Sequence, residues 1–230
     1  MISVNNVTKV YNGKKAVCIN SLMISQGELV GLVGNNGAGK TTFFRLILDL
    51  VKADNGEILI NDQNVAHTDS WKKCTSSYLE EDFLISYLTP LEYLSFIGSL
   101  HNISEDEIKD FISVNEKLFK DVYTNQKYIR DLSKGNQCKV GIAGSLLVNP
   151  KLCILDEPFA NLDPSSQIQL KNLLLEINSN NGTTIFISSH DLRHVTDLCK
   201  RILIMENGTI IQDCLTNNET LMQLENYFIV

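Results

Sequence analysis

No run in this 230-residue chain approaches the roughly 18–20 apolar residues that a membrane-spanning helix needs. Its first residues, MISVNNVTKVY, lack a basic region followed by an apolar one, so no signal peptide is expected. The six cysteines (Cys18, Cys74, Cys138, Cys153, Cys199 and Cys214) form no C-x-x-C pair. That speaks against a zinc site or a disulfide framework and for reduced thiols in a cytosolic setting. An excess of positive charge is missing too. Twenty Lys and Arg against 27 Asp and Glu give a net charge of -7, a poor match to a protein that coats nucleic acid. There is no internal repeat and no low-complexity tract. Hydrophobic residues at 43% and charged residues at 20% describe a globular chain. Its length suits one domain, or one core domain with a small inserted subdomain, folding without staples.

What is present is an alternation of strand and helix patterns. Strands are expected over 2–7 and 16–24, with Asn12-Gly13 as the turn between them. The continuous apolar run 28–33 marks a strand buried on both faces, followed by a glycine-rich turn and a helix. Phe43, Phe44, Leu46, Ile47 and Leu50 are the apolar positions of that helix. Further short strands are expected over 56–60 and 75–79. From about 89 to 132 the pattern turns helical, and Ser104-x-x-Glu107 is a capping box. After this insertion, placed at about 82–135, the alternation resumes. Helices are expected over 133–147, 164–178 and 192–199, and strands over 152–155, 183–188, 201–205 and 209–212. Asn207-Gly208 is the hairpin turn between the last two strands, and a short helix over 218–224 ends the chain. Alternating elements with buried apolar strands imply an α/β core built on a parallel sheet.

Three segments carry chemistry. The first is Gly34, Asn35, Asn36, Gly37, Ala38, Gly39, Lys40 and Thr41, which fits G-x-x-x-x-G-K-[ST] between an expected strand and an expected helix. Glycines let several N–H groups turn toward one anion, and the helix N-terminus adds positive potential. Lys40 would reach the β- and γ-phosphates, and the Thr41 hydroxyl would bind Mg²⁺. The second is the apolar run 152–155 ending in Asp156 and Glu157, which delivers two carboxylates to the sheet edge where the phosphate loop lies. Asp156 would hold Mg²⁺, directly or through water, and Glu157 would polarise an attacking water. The third is Ser133-Lys134-Gly135 at a helix start, where Ser133 is a good N-cap.

Taken together, these segments resemble the nucleotide-binding subunits of ABC transporters, and the resemblance covers essentially the whole chain. It implies a P-loop NTPase core with a mixed sheet, an N-terminal antiparallel β-subdomain and an inserted α-helical subdomain. The phosphate loop then runs on through Thr42. The family's LSGGQ signature is here Leu132-Ser133-Lys134-Gly135-Asn136, and its D-loop is Ala160-Asn161-Leu162-Asp163. His190 matches its switch histidine, which bonds the γ-phosphate and orients water and Glu157. Tyr11 matches its adenine-stacking aromatic, with Val17 flanking the base. The resemblance implies that Ser133 and the Gly135 N–H contact the γ-phosphate bound by a second subunit. Asp163 then runs along the same interface, so neither chain alone completes a site.

Two departures stand out. Lys134 and Asn136 replace a glycine and a glutamine of the signature, while Ser133 and Gly135 stay. No glutamine follows the strand over 75–79; Glu81, or its neighbour Glu80, aligns there, and its carboxylate would be a harder Mg²⁺ ligand than an amide. The implied function is an ATP-binding and ATP-hydrolysing subunit that powers a membrane transporter through ATP-driven dimerisation, with ATP and Mg²⁺ as cofactors. Its partners would be a membrane-spanning subunit and a second ATPase subunit, identical or not, and no nucleic acid. It would sit on the cytoplasmic face of the cell membrane. The signature variant, the acidic residue at 81 and the lack of a C-terminal regulatory domain lean toward export. A soluble ABC-type ATPase acting in a macromolecular assembly is the alternative. A GTPase or kinase is disfavoured, since no N-K-x-D motif occurs.

Overall fold

The computed structural model describes residues 1–79, 83–124, 126–217, 220, 222 and 224. Strands β1 (Ile2–Tyr11) and β2 (Lys14–Ile24) form an antiparallel hairpin. Its turn residues Asn12 and Gly13 both hold positive φ, 50° and 79°, as the tight hairpin turn demands. β1 also pairs with β4 (Asn55–Ile60), and β4 with the two-residue strand β5 (Gln63–Asn64). The result is a four-stranded antiparallel sheet in the order β2-β1-β4-β5. Its inward side chains, among them Ile2, Val4, Val17 and Ile24, are almost fully buried.

The second sheet has six strands. Five of them are parallel: β3 (Leu29–Val33), β6 (Thr75–Tyr78), β7 (Leu152–Leu155), β8 (Thr184–Ser189) and β9 (Arg201–Glu206). β10 (Thr209–Leu215) returns antiparallel to β9 through Asn207 and Gly208, again with positive φ at both. The order is β10-β9-β3-β8-β7-β6. Every residue of β3, β7 and β8 is buried; β3 and β7 are accordingly continuous apolar runs rather than alternating ones, while β8 buries Thr184, Ser188 and Ser189 beside its apolar centre. Helix α1 (Lys40–Ile47) lies between the two sheets. Its Phe44 ring meets Phe186 of β8 edge to face at 4.9 Å.

Helices α2 (Pro90–His101), α3 (Glu105–Val114) and α4 (Glu116–Tyr123) fall between β6 and α5 (Lys134–Leu147). Through α5 their Leu94, Ile108 and Phe119 join the core on the far face of the parallel sheet. Helices α6 (Pro164–Asn181) and α7 (Leu192–Leu198) cover that same face.

Within residues 1–217 the expected elements are present, with local differences. α1 stops at Ile47 and Leu48 caps it; Asp49 takes a positive φ of 53°, so Leu50 is half exposed instead of lying on the helix face. β5 and the 3₁₀ turn Ser70–Cys74 carry no apolar period that could announce them. α6 continues three residues past the expected end at 178 and stops at Gly182 in the left-handed region. Glu80, Glu81 and Asp82 lie outside the described residues, as does most of the helix expected over 218–224.

Candidate nucleotide site

The buried strand β3 runs into the loop 34–39 and then into α1. Two of its glycines are required by space. A Cβ on Gly34 would stand 2.3 Å from the Met205 carbonyl, and one on Gly39 would stand 2.5 Å from the Ala16 carbonyl. Gly39 also holds a φ of 108°, which side chains of L-residues rarely adopt. Within the loop, Ala38 N–H donates to the Asn35 carbonyl at 3.0 Å. No acidic residue stands in the first turn of α1, so its positive end is open to an anion. Lys40 is buried. Its Nζ donates to the Gly34 carbonyl at 2.7 Å and lies 3.4 Å from Glu157 Oε1.

β7 ends at the same sheet edge, because β3, β8 and β7 are parallel neighbours. Asp156 follows it and is almost fully buried. Thr41 donates its hydroxyl to Asp156 Oδ2 at 2.5 Å, and Ser188 donates to Oδ1. Burial pushes the Asp156 carboxyl above its ordinary range, while the bonds from Ser188 and Thr41 hold it back. A carboxylate and a hydroxyl meeting beside the phosphate loop are hard oxygen donors, the set that suits Mg²⁺. Glu157 takes a left-handed φ of 48°, and its N–H donates to Ser188 Oγ at 2.9 Å. Its Oε2 accepts the His190 N–H at 3.2 Å and lies 2.8 Å from His190 Nδ1. The His190 ring is itself more than half exposed and, unlike Glu157, does not line the cleft at the phosphate loop.

A cleft of about 370 Å³ opens over these groups. Residues 36–42 and Glu157 line it, together with Tyr11, residues 14–16, Asn207 and Gly208. Tyr11 is half exposed there, as a stacking ring must be, with Lys9 Nζ 5.4 Å from its centroid. Val17 is a correction. It is fully buried in the core, and its neighbour Ala16 faces the cleft. The alternation along β2 carried that signal, since Val17 shares its phase with the buried Ile19. Lys14, Lys15, Asn207, Gly208 and Ser188 were not legible as site residues. Asn207-Gly208 announces only a turn, yet Gly208 N–H donates to the Ala38 carbonyl at 2.8 Å and so docks that turn on the phosphate loop.

Ser133, Gly135 and Asp163 do not line the cleft. Ser133 caps α5, accepting the Asn136 N–H at 3.3 Å. A Cβ on Gly135 would stand 2.4 Å from the Asn161 carbonyl, so the start of α5 packs on the loop before α6. Asp163 caps α6 by accepting from the Ser166 hydroxyl at 2.6 Å and its N–H at 3.0 Å, and the hydroxyl bond chiefly holds its carboxyl below the usual range. These three residues form a second constellation, separate from the first. Glu81 lies outside the described residues.

Residues 19–160 match the ABC transporter family. The chain belongs to it. It is an ATP-binding, ATP-hydrolysing cassette. Its relatives include the methionine import ATP-binding protein MetN of Carboxydothermus hydrogenoformans, 31% identical over 93% of this chain and 66% of that one. The lipopolysaccharide export system ATP-binding protein LptB of Haemophilus influenzae is 32% identical over 92% of this chain and 89% of that one. A solved ATP-binding subunit of an ABC transporter superposes with a TM-score of 0.87 at 25% identity, covering 100% of this chain and 98% of that one. Among the described residues no helix is long and apolar enough to cross a membrane.

Proposed function

We propose that ATP and Mg²⁺ close two copies of this cassette face to face, and that a membrane-spanning partner couples this closure to transport. The observation that carries the reading is the separation of two constellations. One cleft holds the phosphate loop and Glu157, with Asp156 bonded to Thr41 just beneath it. Ser133, Gly135 and Asp163 stand together elsewhere. A second copy can bring its Ser133 hydroxyl and Gly135 N–H to a γ-phosphate that this copy cradles, with Asp163 along the shared face.

In the cleft, Tyr11 offers a ring face to adenine, beside Ala16. Asn36, Gly37, Gly39 and Thr42 of the loop turn backbone N–H groups toward the phosphates, while the bond between the Ala38 N–H and the Asn35 carbonyl shapes the loop. Lys40 exchanges its bond to the Gly34 carbonyl for phosphate oxygens. Thr41 and Asp156 would hold Mg²⁺, with Glu81 as a further ligand. Bound there, Mg²⁺ would supply positive charge against the phosphates. Glu157 accepts a proton from the attacking water, and His190, already bonded to it, orients that water and the γ-phosphate.

Helices α2–α4 form the subdomain that meets the membrane partner, and the cassette sits on the cytoplasmic face of the membrane. The narrower reading is export, supported by the Ser133-Lys134-Gly135 signature and the acidic residue at 81. Relatives named for import and for export are similar to the chain to nearly the same degree, so direction needs its own measurement.

The test is capture with a Glu157→Gln bait in mild detergent with Mg-ATP. A polytopic membrane protein in the eluate is expected. Ribosomal or assembly proteins without one would overturn the transport reading in favour of a soluble ATPase, leaving the ATP site standing. With the partner in proteoliposomes and the cassette facing outward, ATP-driven entry of cargo into the lumen would mark export.

A further inference from the structure

β8 lies between β3 and β7 in the core sheet, so its C-terminal end stands between the phosphate loop and the two carboxylates. Along β8, Ile185 and Ile187 face one core, and Phe186 faces the other, toward α1. Ser188 shares the phase of Phe186 and is fully buried. An apolar side chain would satisfy the packing there. A hydroxyl stands instead, and both its capacities are used. It donates to Asp156 Oδ1 and accepts the Glu157 N–H at 2.9 Å.

We infer that Ser188 is a positioning residue for hydrolysis, one hydroxyl that holds Asp156 and Glu157 in register with the strand carrying His190. The inference rests on the roles proposed above for Asp156 and Glu157. Glu157 sits at a positive φ of 48°, sparsely populated for a residue with a side chain, and such a backbone persists only where its surroundings hold it. The Ser188 bond to its N–H does so. Asp156 has Thr41 on its other oxygen. Were Thr41 to give up that bond for a metal, the Ser188 bond would still keep the carboxylate aimed. Two residues on, the His190 N–H and ring reach the Glu157 carboxylate. One strand end thus fixes the backbone of Glu157 through Ser188 and its side chain through His190.

The test compares Ser188→Ala, Ser188→Thr and Glu157→Gln in the full chain. The readouts are kcat and KM for ATP, thermal stability, and binding of a fluorescent ATP analogue without metal and across a Mg²⁺ titration. Ser188→Ala should lose about tenfold to a hundredfold in kcat and in the Mg²⁺ dependence of binding, the usual range for a residue that orients a metal ligand. Binding of the analogue without metal should stay within about threefold, and Ser188→Thr should recover most of the loss. Ser188→Ala with wild-type kcat and Mg²⁺ dependence would overturn the proposal. So would a loss that follows thermal stability alone and that threonine does not repair. Wild-type hydrolysis in Glu157→Gln would instead overturn the role of Glu157, a separate failure.

Discussion

Asp156 shows stability and chemistry opposed in one side chain. Burial raises its carboxyl pKa, so in the ATP-free protein the ionised form is held at a cost. Between the unfolded value and the raised folded value the folded chain binds more protons, and stability falls as pH rises through that window. Asp156→Asn removes the penalty. At neutral pH without nucleotide it should melt about 2–4 °C higher than the wild type, while hydrolysis is lost. The advantage should vanish below the unfolded value, where Asp156 is protonated in both states; melting curves at several pH values measure it. Glu157→Gln should cut turnover by about 10²–10⁴-fold while ATP binding persists, read by kcat beside equilibrium binding. At this scale the contiguous groups were legible. The phosphate loop is one stretch of chain because a curl of successive N–H groups builds it. Ser188 was not, because its partners lie 31 and 32 residues away in the chain.

At the scale of elements, helix α5 depends on its glycines. In an exposed helix Gly→Ala gains about 1 kcal/mol. At Gly141 the new Cβ would stand 2.3 Å from the Tyr78 ring, which lies between the parallel sheet and the inserted helices. Gly141→Ala should therefore destabilise by about 1–3 kcal/mol, read as a lower urea midpoint. Helix starts were legible where capping is local. Ser104 and Glu107 exchange the two bonds of the expected capping box, and Thr89 and Glu92 make another that opens α2. Helix ends were less so. α1 stops before Leu50 because the chain turns at Asp49 toward β4, a turn that no apolar period encodes.

At the scale of the whole molecule, the proposed closure of two copies would make the active unit larger than one chain. Glu157→Gln with Mg-ATP should elute at twice the mass of one chain, and as a single chain without nucleotide. Ser133→Glu should abolish that shift while single-chain ATP binding continues, because the added charge would face a γ-phosphate across the interface. Size-exclusion chromatography with light scattering reads both. Wild-type ATPase activity per chain should rise with protein concentration.

The sequence alone determined the α/β core, most of the element order, the phosphate loop and the strand-borne pair Asp156 and Glu157. Each is written in local period or contiguous chemistry, where neighbours in the chain are neighbours in space. Only the tertiary structure decided that Gly208 docks on the phosphate loop, and that Ser188 binds both the Asp156 carboxylate and the Glu157 N–H. Those contacts come from the stacking of the antiparallel hairpin on the parallel sheet and from the placing of β8 between β3 and β7. The pairing of distant strands sets both, and no window of sequence contains it.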